Sequence, residues 1–234
     1  MDYLEDKKLL ELRFSNGMMI LPFVRYKLLC SKNQDNTSSS SRNPVSKPTI
    51  FFRLFSNLIR IRVKKKKLVF FSSTLFNVEV EGEKGIYYNS MDGYYYDLFP
   101  EDSLLIEDAD EEFKWRAKNS YKSMSFIRTY LLFLSFTLSR VFNKIKPIRR
   151  IDFDYIIKNY PELYTIEELG RLDYFHRIYY SLIKWVLKKT QCNLIAVNCG
   201  SYGETYAPLI KAAHDLGIKV IEMQHGAILQ SHLG

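Results

Sequence analysis

Cysteine is scarce: the 234 residues hold three, Cys30, Cys192 and Cys199. An odd, sparse set builds no disulfide framework, and none of its spacings suits zinc, so the chain reads as a protein of the reducing cytoplasm. A long apolar run is also missing. The most apolar stretch, FIRTYLLFLSFTLSRVF at residues 126–142, has 11 uncharged residues between Arg128 and Arg140. A membrane-spanning helix needs roughly 20. The stretch therefore reads as a buried helix or as one lying on a membrane surface. The opening MDYLEDKKLLELRF is too charged for a secretory signal. GxGxxG, GxxxxGK[ST] and GxSxG are all absent. Their absence disfavours a classical dinucleotide site, a P-loop and a Ser-His-Asp hydrolase in turn.

What is present is an aromatic-rich globular composition, with 17 Tyr and 16 Phe in a chain that is 47% hydrophobic. Rings bury much area each, so a sizeable core is expected. The net charge is +8 but unevenly spread: RIRVKKKK occupies residues 60–67, whereas residues 97–112 carry eight acids. The basic run reads either as a solvated turn before a buried strand or as a patch for phosphate or anionic lipid. No zinc spacing, RNA-binding aromatic signature or helix-turn-helix pattern accompanies it, so nucleic acid is not an expected partner.

Along the chain, residues 1–30 read as an N-terminal helical extension, broken by a turn at Asn16-Gly17 and by Pro22. Residues 31–48, SKNQDNTSSSSRNPVSKP, read as a polar flexible insertion. Residues 49–234 read as one α/β domain. IFFRLFSNLIRI at residues 50–61 has the pattern of a short amphipathic helix. LVFFSST has the pattern of a buried strand, VEVEG and GIYYNS that of a hairpin around Gly82 and Gly85, and SLLIED that of another strand. DGYYYDLF suggests a turn or two of helix. Longer helices are expected over residues 111–146, 151–159 and 165–190. In the last, Leu169, Leu172, Phe175, Tyr179, Ile183 and Val186 form a stripe. His176 lies beside that stripe and reads as a surface or boundary histidine.

The most informative unit spans residues 193–226. NLIAVNCG and KVIEMQHG are short apolar strands joined by a helix, SYGETYAPLIKAAHDLG. A β-α-β unit of this length implies parallel strands. Capping by Ser201 would put Pro208 inside the helix. Capping by Thr205 keeps Pro208 in the first turn, and Gly217 then stops the helix. In open α/β sheets, ligands bind beyond the carboxyl ends of the strands. Three loops lie there: Ser72-Ser73-Thr74, the loop with Gly200, Ser201 and Gly203, and Gln224-His225-Gly226. The glycines either admit a ligand close to the backbone or simply turn the chain. His225 is either an acid, base or hydrogen-bond donor facing a cleft, or a residue that shapes its turn. Glu222 either pairs within the fold or belongs to the site. His225 and His232 without further ligands do not make a metal site.

The segment VIEMQHGAILQSHLG resembles part of the bacterial surface-polysaccharide glycosyltransferases of the GT-B type, enzymes of capsule and lipopolysaccharide assembly. The resemblance rests on Glu222, Gln224, His225 and Gly226 after an apolar strand. NGMMILPFVRYKLL at residues 16–29 and KKLVFFSST at residues 66–74 are similar to the opening of the same group. It implies a Rossmann-like parallel sheet with flanking helices, the N-terminal half of a two-domain architecture. The implied reaction moves a sugar from a nucleotide-sugar donor to a glycan or lipid-linked acceptor, with no cofactor and no metal. His225 and Glu222 would be catalytic. Ser72, Ser73, Thr74, Gly200, Ser201, Gly203, Gln224 and Gly226 would bind substrate. The resemblance also implies a second domain after Gly234, without which this part should be inactive. Location would be cytoplasmic and peripheral at the inner membrane, with Arg60 to Lys67 and the apolar helix near Leu131 as contacts. Two other readings stay open: a non-catalytic nucleotide- or protein-binding module, and a sugar-nucleotide epimerase of similar architecture.

Overall fold

A computed structural model describes residues 7–24, 27, 64–72, 77–107, 127–198 and 205–223. The expected helix at residues 50–61, the polar insertion at 31–48 and the start of the helix predicted from residue 111 lie outside them. In chain order the elements are α1 (Lys7–Glu11), β1 (Leu68–Ser72), β2 (Asn77–Glu79), β3 (Tyr87–Asn89), α2 (Gly93–Leu98), β4 (Ser103–Glu107), α3 (Ile127–Ile145), α4 (Ile151–Asn159), α5 (Ile166–Thr190), β5 (Leu194–Val197), α6 (Tyr206–His214) and β6 (Lys219–Glu222).

Four strands form one parallel sheet in the order β4-β1-β5-β6. The expected β-α-β unit is therefore present, as β5-α6-β6. The chain leaves β1 toward β4 on one side and leaves β5 toward β6 on the other. The strand order thus reverses between β1 and β5, the switch point at which open α/β sheets form a ligand crevice. The predicted hairpin forms as β2 and β3, with Gly82 at φ +81° and Gly85 at φ +80° supplying the left-handed turn positions.

Strand alternation sorts the core into two faces. Val69, Phe71, Leu104, Ile106, Ile195 and Val197 belong to the cluster that includes Phe175, Tyr179, Ile183 and Leu209 of α5 and α6. Phe70, Leu105 and Ala196 belong to the other face, beneath Tyr96 of α2 and Tyr88 of the hairpin. A third cluster joins Leu9, Phe14, Ile20 and Phe23 of the N-terminal segment to Phe153 and Ile156 of α4 and Leu169 of α5. α5 therefore packs on both sides of its axis. It begins with a full capping box: Glu168 N–H donates to Thr165 Oγ1 at 3.2 Å, and Thr165 N–H donates to Glu168 Oε2 at 2.7 Å.

His176 corrects the sequence reading. It is fully buried, not at the surface or boundary. Its ring lies 4.9 Å from Phe14, 4.5 Å from Phe23 and 5.1 Å from Phe175. Neither ring nitrogen has a hydrogen-bond partner among the described residues, and desolvation lowers its pKa to about 3. The second face of α5, which the N-terminal segment covers, accounts for this. One turn earlier, the Asp173 carboxylate accepts from Ser15 N–H at 2.6 Å and from the Ser15 hydroxyl.

Candidate functional site

At the carboxyl end of the sheet the apolar alternation gives way to polar residues. One step beyond Phe70, Ala196 and Leu105, on the hairpin side, stand Ser72, Asn198 and Glu107, all buried. Ser72 faces Glu107 in register. Strand pattern alone would put hydrophobic residues at these positions, so each polar side chain must find partners or lose stability.

Asn89, at the end of β3, joins them. Its Oδ1 accepts from Asp92 N–H at 2.9 Å and Met91 N–H at 3.2 Å, which fixes the amide's orientation. Its Nδ2 then points at Ser72 Oγ, Glu107 Oε1 and Asn77 Oδ1, each 3.0 Å away. Asn198 Nδ2 lies 3.1 Å from Ser72 Oγ and 2.7 Å from Asp92 Oδ2. Ser72 Oγ thus accepts from two amides, and its own proton remains for the Asp92 carboxylate. Burial raises the Asp92 pKa above its ordinary value, while the hydrogen bonds from Ser72 and Asn198 pull it down.

Asp92 occupies the N-cap position of α2 but makes no side-chain cap. An aspartate there would ordinarily accept from the helix's first N–H groups. Its carboxylate instead reaches across to β5. Asp92 Oδ1 and Asn198 Oδ1 are buried and have no partner among the described residues.

The other wall is positively charged. Arg128, in the first turn of α3, is buried. Its Nη2 donates to Thr205 Oγ1 at 2.7 Å and its Nη1 to the Tyr206 hydroxyl at 3.0 Å, with the Ser72 carbonyl 3.5 Å from Nη1. The guanidinium carbon sits 4.2 Å from the centre of the Tyr206 ring, a cation–π contact. Thr205 holds the N-cap position of α6, as the Pro208 argument requires. It makes no side-chain cap, because its hydroxyl faces Arg128. A guanidinium and the positive end of α6 therefore bring the same sign of charge to one place, the electrostatics of an anion site.

Of the residues chosen from sequence, Ser72 lies at the centre of this arrangement. Glu222 does not join it. It pairs in register with Val197, so it stands on the helix side of the sheet, opposite Ser72 and Asn198, and is exposed on β6. Ser73, Thr74, Gly200, Ser201, Gly203, Gln224, His225 and Gly226 lie outside the described residues. Sequence reasoning missed Asn198, Asp92 and Arg128. A signal existed for each: a polar residue closing a buried strand, an aspartate before a helical turn, and an arginine at the head of an otherwise apolar helix. Among the described residues no group of three or more His, Cys, Asp or Glu side chains has the geometry to hold a metal ion.

No protein-family model, curated protein or solved structure matches this chain.

Proposed function

We propose that this chain is the N-terminal, acceptor-side part of a GT-B glycosyltransferase that transfers sugar from a nucleotide-sugar to a surface-polysaccharide acceptor. On this reading the parallel sheet is its Rossmann-like domain. A sugar-phosphate end of the acceptor lies in the crevice between β1 and β5. The observation that carries this is the pairing of unlike walls there. Arg128 and the start of α6 suit a phosphate, while the unpartnered oxygens of Asp92 and Asn198 at the strand ends suit sugar hydroxyls. The catalytic step belongs to His225, as base toward the acceptor hydroxyl or as donor to a phosphate or sugar, with Gln224 and Gly226 positioning the donor.

Calorimetry on the 234-residue chain tests the acceptor-side assignment. A short-chain prenyl-diphosphate-linked sugar should bind, and a panel of nucleotide-sugars should bind more weakly or not at all. Binding of a nucleotide-sugar without the acceptor analogue would favour the non-catalytic nucleotide-binding module. Conversion of a nucleotide-sugar to its epimer would favour the epimerase. No binding of either class would remove the crevice as a ligand site.

A further inference from the structure

Toward its C-terminal end, α3 buries polar residues and exposes apolar ones. The residues it buries include Ser135, Ser139 and Asn143, whereas Phe133 is 48%, Val141 47% and Ile145 75% exposed. The two serines satisfy themselves within the helix. Ser135 Oγ donates to the Leu131 carbonyl at 2.6 Å and Ser139 Oγ to the Phe136 carbonyl at 2.9 Å. Small buried side chains let α3 lie close against α5. The bulky apolar side chains are left outward, against the usual preference of such groups for the interior. Leu134, Val141 and Ile145 fall seven and four residues apart, on one stripe.

Charge flanks that stripe with one sign only. Residues 127–150 contain six Arg or Lys and no Asp or Glu. Arg140, Lys144 and Arg149 line a cleft of about 590 Å³ with Arg171, where Glu167 is the one acid. None of Arg140, Lys144, Lys146 and Arg149 takes part in an ion pair among the described residues. In the basic run before β1 the last two lysines are already engaged, and residues 60–63 lie outside the described residues. Lys67 pairs with Asp102 at 3.1 Å, and Lys66 Nζ donates to the carbonyls of Pro100 and Glu101. Leu131 is buried. Of the expected membrane contacts, the apolar helix near Leu131 therefore offers its outer stripe and not Leu131 itself.

We infer that the outer face of α3 and the adjoining basic cleft dock on an anionic phospholipid bilayer. The apolar stripe enters the headgroup boundary, and Arg140, Lys144 and Arg149 meet lipid phosphates. An amphipathic helix with this division of residues lies in the interface plane. Among the described residues no helix is long and apolar enough to cross a membrane, so the contact is a surface one. A protein partner would have to match an apolar ridge and an unpaired cationic rim together. A bilayer containing phosphatidylglycerol offers both over any area.

Co-sedimentation of the 234-residue chain with phosphatidylcholine vesicles, with and without phosphatidylglycerol, tests this. The chain should partition onto the anionic vesicles only, and added salt should release it. Lys144→Glu with Arg149→Glu should lower that partitioning about tenfold or more. Val141→Ser with Ile145→Ser should lower it about as much at unchanged charge. All four positions are exposed, so circular dichroism and thermal midpoint should match the unmodified chain. Failure to bind anionic vesicles, or full binding by the charge-reversed variant, overturns the inference. Self-association abolished by the Val141/Ile145 variant, without vesicle binding, overturns it in favour of a second copy. A chain that binds these vesicles but no acceptor analogue would keep the membrane contact and lose the proposed function.

Discussion

Asn198 Nδ2 donates to Asp92 Oδ2 at 2.7 Å, joining the end of β5 to the start of α2 across the sheet. The bond uses a carboxylate that its own helix would otherwise employ as a cap, so Asp92 serves the crevice in place of α2. The buried carboxylate also sets a pH dependence. Its folded pKa is raised above the ordinary 3.8, with burial the largest cause. The folded state therefore holds the proton more tightly than the unfolded chain. This group's contribution to stability falls as pH rises from about the unfolded pKa through the folded one. Asp92→Asn should remove that decline and leave the protein at least as stable at neutral pH. Urea unfolding of both proteins at a series of pH values checks it.

Ser72→Ala should leave one amide hydrogen of Asn198 without an acceptor and take a donor from the Asp92 carboxylate, while Asn89 Nδ2 keeps Glu107 and Asn77. The expected loss is about 1–3 kcal/mol of stability, the cost of buried donors left unpaired. Chemical denaturation measures it. A loss near zero would mean that Asn198 and Asp92 repair their contacts elsewhere.

His176 gives the opposite sign of pH dependence. Its folded pKa is about 3 against an ordinary 6.5. Folding disfavours the imidazolium, so the stability conferred by neutral His176 is present above the unfolded pKa and is lost as pH falls from about 6.5 toward 3. His176→Leu removes two buried nitrogens that lack partners among the described residues, in a shell of Phe14, Phe23 and Phe175. It should hold or raise stability at neutral pH and flatten this acid limb. Thermal midpoints of the two proteins from acid to neutral pH would show it.

Gly170 of α5 lies against Asn143 of α3. A Cβ there would stand 2.5 Å from Asn143 Oδ1 and 3.3 Å from the Ile148 carbonyl. Asn143 is held in place because its Nδ2 donates to the Glu167 carbonyl at 3.1 Å. Gly170→Ala should therefore cost about 1–3 kcal/mol, the range for overpacking. Combining it with Asn143→Ala should cost less than the sum of the two single changes, since the first clash is then gone. A double-mutant cycle reads the difference.

The parallel sheet, the hairpin and the β5-α6-β6 unit were legible because their signals are local: short apolar runs, paired glycines and a proline that fixes the register of a helix start. The place of Thr205 followed from Pro208 in the same way. The burial of His176 was not legible, because the face that covers it comes from Phe14 and Phe23, more than 150 residues earlier in the chain. For α3 the sequence left a buried and a surface helix open. Several of its apolar residues face outward while Ser135 and Ser139 are buried, an arrangement that hydropathy alone does not reveal. At the site, Ser72 was found from its position at a strand end. Asp92 and Asn198 are single polar residues on different elements, and only the sheet order brings them together.

The most direct test of the account is a map of backbone amide shifts on isotope-labelled protein, titrated with a prenyl-diphosphate-linked sugar. The shifts should gather at Ser72, Asn198, Asp92 and the start of α6 at Tyr206, and weaken in Arg128→Lys. Shifts confined to other surfaces, or none at saturating ligand, would contradict it.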